Sequence, residues 1–160
     1  MDNEDAKSEI GNKLSPHSVE GQDVTYEDYK KAKSSGLSFI KTLTVTYDHF
    51  KAELSVEYWW SNDGDVLHGY ARQYRVTSNG NNSGNITFGV HGRSPDQIWE
   101  RELTGSAVQD GEWHELTGGG KGGWVGVVSK RGKLYFHYTF DRSTGGDPSA
   151  DTELTVVFPN

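Results

Sequence analysis

The sequence predicts an all-β protein, an antiparallel β-sandwich, on three observations. Apolar residues recur with a period of two over most of the chain beyond residue 37, the pattern of strands with one buried face. Twenty glycines and many Asn residues interrupt those stretches where turns are needed. Hydrophobic content is only 32%, yet five Trp, eight Tyr and six Phe supply large rings that fill a core with few aliphatics. A length of 160 residues suits one domain with one core.

Residues 1–36 read as a polar N-terminal arm with a single helical signal. Thr25 is placed to cap a short helix over 26–33 and Gly36 to stop it. The remainder of the arm, Pro16 included, lacks an apolar stripe and reads as mobile. The sandwich is expected over 37–160. Leu43, Val45 and Tyr47 alternate with threonines, then Phe50, Ala52, Leu54, Val56, Tyr58 and Trp60 share one parity against Lys51, Glu53, Ser55 and Glu57. Adjacent Trp59 and Trp60 must point to opposite faces, so only one joins the main core. The alternation returns at Ile86/Phe88/Val90, Leu134/Phe136/Tyr138/Phe140 and Leu154/Val156/Phe158. Weaker strands fit Tyr70–Val76, Ile98–Leu103, Trp113–Leu116 and Trp124–Val128. Roughly eight to ten strands of this kind make a sandwich or barrel.

Charge and composition narrow the function. A formal charge of −7 speaks against nucleic acid as a partner. The absence of cysteine removes disulfides, thiolate metal sites and cysteine nucleophiles together. The acidic, polar start carries no secretory h-region and no run is long enough for a transmembrane segment, so a cytoplasmic location is expected, with unconventional release open. His68, His91, His114 and His137 are evenly spaced, but the residues between them do not repeat. No HxH, HExxH or calcium-loop pattern occurs, so neither a metal nor another cofactor is expected. Glu100, Glu102, Glu112 and Glu115 lie near tryptophans, without the facing pair that glycoside hydrolysis needs. No serine sits on a nucleophile-elbow pattern, and the expectation is that the protein is not an enzyme.

Tryptophans at strand ends carry the positive signal. Trp99 follows the Pro95-Asp96 turn, Trp113 follows "DGE", and Trp124 follows "GGGKGG". An exposed ring beside polar groups offers a stacking platform for the C–H face of a pyranose. Each of these rings also suits the capping of a sandwich end. The loop "TSNGNNSGNITFGVH" (77–91) contains two formal glycosylation sequons, at Asn81 and Asn85, and reads as a long hairpin turn.

Particular motifs sharpen this. Val56-Glu57, Trp60, Asn62, Gly64, Tyr74, Thr77, Gly80, Ser83-Gly84 and the strand Thr87-Phe88-Gly89-Val90-His91 resemble the fungal fruit-body lectin family. The run "WVGVVSKRGKLYFHYTF" is similar to that family's closing strand pair, and "DGEWHE" (110–115) is similar to a loop of the actinoporins, which share the fold. The likeness spans about residues 40–160. It implies an actinoporin-like β-sandwich that binds galactosamine-type or N-acetylglucosamine-type glycans at loops on one end and self-associates as a homo-oligomer. Residue by residue, it places Trp124 at a sugar-site aromatic, and Asp96, Trp99 and Thr104 along an Asp-Ile-x-Thr element. Trp113 and His114 fall on the adjoining loop, and the 77–91 loop becomes scaffold beside the site. The family's sugar-binding arginine has no counterpart. The tyrosine cluster and amphipathic helix of the pore formers are also missing, which disfavours pore formation. A lipid-head-group binder of the same fold and a jelly-roll glycosidase are the rival readings.

Overall fold

A computed structural model describes residues 21–92, 97–116, 119–143 and 145–159. They form two antiparallel sheets packed face to face. In chain order the elements are β1 (Gln22–Asp23), α1 (Tyr26–Ser35), β2 (Phe39–Tyr47), β3 (Phe50–Ser61), β4 (Val66–Val76), β5 (Gly84–His91), β6 (Ile98–Ala107), β7 (His114–Glu115), β8 (Gly122–Gly126), β9 (Arg131–Thr139) and β10 (Ser149–Val157). The first sheet has the order β1-β8-β4-β3-β2, with β7 also pairing β4; the second has the order β10-β9-β5-β6.

The period-two pattern supplies the core. From the first sheet, Leu54, Val56, Leu67 and Ala71 point inward; from the second, Ile86, Phe88, Leu134, Phe136 and Tyr138 meet them, and all are fully buried. Side chains of one parity therefore leave water together, at about 25 cal/mol per Å² of apolar surface removed. The tryptophan pair divides as its spacing requires. Trp60 packs on this main core, whereas Trp59 joins a second cluster outside the sheet with Val24, Tyr29, Ala32 and Tyr70.

That second cluster brings the N-terminal segment onto the sandwich. Thr25 Oγ1 accepts from Asp28 N at 3.0 Å, and Gly36 closes the helix in the left-handed region, as the sequence predicts. Residues 21–36, however, are not an arm apart from the domain: β1 extends the first sheet and α1 lies on its outer face. The boundary drawn at 36/37 separates pieces that pack together. Residues 1–20, where a mobile arm is expected, lie outside the described part.

Gly122 and Gly123, the two glycines before Trp124 in the "GGGKGGW" run, serve close packing, whereas Gly119 and Gly120 face open space. A Cβ on Gly123 would stand 2.2 Å from the Trp99 ring, and one on Gly122 would stand 2.2 Å from the Gly69 carbonyl oxygen. At the other end of β4, the turn over 77–83 is fastened by side chains. Asn79 and Asn81 each donate from Nδ2 to the Asp141 carbonyl, and the Asp141 carboxylate accepts from Ser83 N. Buried Gln109 joins the same network, donating to Asn79 Oδ1 at 2.8 Å. The amide of the first sequon is thus occupied within the fold, and Asn85 of the second lies inside β5.

Candidate functional site

Outward-facing residues of the first sheet build a concavity against helix α1. Strand register places Trp59 opposite His68, and His68 opposite Trp124, so three rings form one row across β3, β4 and β8. Trp59 and His68 stack with centroids 5.2 Å apart and an 11° interplanar angle; Trp124 follows at 6.3 Å, tilted by 40°. Helix α1 stands beside this row and leaves a groove of about 520 Å³. Asp28, Lys31 and Ser35 line its helix side, Leu37 its rim, and Ser61 and Asn62 its end. The volume is in the range of small-molecule sites.

Helix α1 is held in place by one buried carboxylate. Glu57, 3% exposed, accepts from the Tyr29 hydroxyl at 3.0 Å and from the Ser38 hydroxyl, and the Arg72 guanidinium lies 3.5 Å away. Tyr29 lies flat on Tyr70, with centroids 4.0 Å apart. Burial, then the Glu57 charge, push the Tyr29 hydroxyl up to about 12, so it stays a donor at neutral pH. Strand alternation alone assigns Glu57 to a solvated face. The structure corrects this, because a helix covers that face.

His68 is the polar group of the aromatic row. Burial lowers its pKa to about 4, against an opposing pull from Asp28, so the ring is neutral at pH 7. Its Nε2 hydrogen-bonds Ser61 Oγ at 2.8 Å. A base held near 4 is a weak proton acceptor for activating a hydroxyl. Among the described residues, the groove is lined by a single carboxylate, Asp28, whereas glycoside hydrolysis uses two that face each other. Among the described residues, no group of three or more His, Cys, Asp or Glu is arranged to hold a metal ion.

No family model, curated protein or solved structure matches this chain. Its own geometry therefore has to carry the functional reading.

The five described residues among the six expected at the site do not converge. Trp124 lines the groove, half-buried. Trp99 is only 2% exposed, packs its ring edge-on to Phe88 and donates from Nε1 to Asp23 Oδ1 at 2.8 Å; no ring face is open for stacking. Thr104 lies in β6 of the other sheet, where its hydroxyl accepts from Ser106 N. Trp113 is exposed but covered on one face by the Arg75 guanidinium at 4.7 Å. His114 stacks on Tyr74 and bonds Asp110 Oδ1 at 2.9 Å. Asp96 lies outside the described residues.

Trp113 and His114 sit by the last residues of β4, whereas Trp124 and the groove lie against its first. The loop proper, 77–83, follows the far end of β4 and so is not beside the groove, whereas 84–91 is strand β5, which runs back in the other sheet until Val90 lies under Gly69. Sequence reasoning missed Trp59 and His68 as partners of Trp124. The available signal was a tryptophan standing at the polar parity of β3.

Proposed function

We propose that the protein is a non-enzymatic carbohydrate-binding protein, an actinoporin-like lectin that takes a glycan in the groove between α1 and the first sheet. The observation that carries this is the row Trp59–His68–Trp124, an aromatic floor in which buried Trp59 backs His68 and half-buried Trp124 is the more open indole, with a neutral imidazole–hydroxyl pair at its centre. A pyranose ring presents an apolar C–H face to such a floor, while its hydroxyls reach Ser61, Asn62 and Asp28 along the edges. The lectin resemblance supports galactosamine-type or N-acetylglucosamine-type glycans as the class to test. The rings doing the work are on the face of a sheet, not in end loops.

A glycan array displaying both sugar types, followed by calorimetric titration of the hits, tests the reading. Trp124→Ala is expected to weaken binding by about 2 kcal/mol, the loss of one large stacking surface, which is roughly thirtyfold in Kd. Trp113→Ala, at the far end of β4, should bind like the parent. An array with no hits, or a Trp124→Ala protein that binds as tightly as the parent, would overturn it.

A further inference from the structure

The sheet edges differ sharply in how they are guarded. Strand β6 carries exposed Glu100, Arg101 and Glu102, β10 carries exposed Asp151 and Glu153, and β1 is only two residues long. Charges and short lengths are the usual devices that stop an edge from pairing with another chain. Strand β2 has neither. It is nine residues long, pairs with β3 alone among the described residues, and carries Lys41 as its single charge. Of the eight large hydrophobic residues exposed among those described, Leu37, Phe39, Ile40 and Tyr47 lie on this strand or just before it.

We propose that β2 is a homodimer interface, at which two copies of this chain pair their β2 strands antiparallel about Leu43 and join their first sheets into one. The occupant is a second copy because the strand is complementary to itself in this register. Phe39 of each copy falls opposite Tyr47 of the other at both ends, and Thr42 falls opposite Thr44 twice in the middle. Aromatic pairs and threonine pairs are favourable directly across an antiparallel ladder. Lys41 meets Val45, so no like charges face each other. On a chain of net charge −7, a strip free of carboxylates is also where two copies approach with least repulsion.

The proposal does not rest on the glycan reading, though it would explain how a single shallow site gains strength. Sedimentation velocity on the full chain over a concentration series tests it. The parent is expected to sediment as a dimer at the upper concentrations. Thr42→Lys with Thr44→Lys places lysines opposite each other twice and should yield monomers. Thr42→Glu with Thr44→Lys places glutamate opposite lysine twice, sets the new lysine rather than a second carboxylate across from Glu53 of β3, and should restore the dimer. Both positions are exposed, so all three chains should melt alike at dilutions where none of them dimerises. A parent that is monomeric throughout, a double-lysine chain that still dimerises, or a lysine–glutamate chain that stays monomeric would each overturn the proposal. Retention on a glycan-coated surface should fall about 100-fold in the monomeric variant while its affinity for a monovalent glycan is unchanged, which separates failure of the dimer from failure of the binding site.

Discussion

Replacing Trp99 with alanine is expected to cost about 4 kcal/mol of stability, the scale of a buried tryptophan truncation. For a chain of this length that is a fall in Tm of roughly 12 °C. The ring is enclosed between Phe88 and the bare backbone of Gly123, which cannot move in to fill the space without breaking its pairing to Gly69. The change also removes the Nε1 donor from Asp23, whose carboxyl is held below its usual range first by Trp99 and then by Arg101. Urea denaturation followed by fluorescence and circular dichroism measures the loss. A shift of less than about 1 kcal/mol would contradict this placement of the ring, being below the range for any buried aromatic. Loss of glycan binding in this variant would report a damaged fold rather than a lost contact.

Acid should destabilise the protein through His68. The unfolded chain takes up a proton at this residue near its ordinary value of 6.5, while the folded site refuses it until about 4. Between those values the unfolded state binds more protons, so stability is full above 6.5 and declines as pH falls through the window. The linked loss is on the order of 3 kcal/mol. Thermal melts at intervals from pH 7 to 4 should show it, and His68→Gln should remove most of this slope while keeping the background from surface carboxylates. A parent and a variant with parallel profiles would show that His68 is not desolvated as described.

Much of the fold is legible in the chain because each strand carries its own evidence. The parity of Phe50–Trp60, the split of Trp59 from Trp60, and the Thr25 and Gly36 caps are local signals that packing then obeys. The groove was hidden for the opposite reason. Its walls come from 28–37, 59–68 and Trp124, stretches that only register and helix docking bring together. Helix α1 buries just Tyr29 and Ala32, too few to show as a stripe, so nothing local announced that the polar face of β3 would be covered. Glu57 is the clearest case: one glutamate reads as solvated by alternation and is buried by a partner distant in sequence. Trp99 misled in the other direction. A tryptophan after a turn suits a loop platform, and only the paired glycines of β8 reveal the slot into which it fits.

The slender attachment of α1 ties the order of the helix to the occupancy of its groove. A helix anchored by so few buried side chains detaches at a smaller free energy than the sheets unravel, so its amides should exchange with deuterium well before those of β3 and β4. One wall of the groove exists only while the helix is seated. A bound molecule must therefore slow that exchange by a factor of 1 + [L]/Kd, the equivalent of RT ln(1 + [L]/Kd) in the free energy of detachment. Deuterium uptake along Tyr26–Ser35, titrated against a candidate glycan, would then measure affinity from the backbone itself.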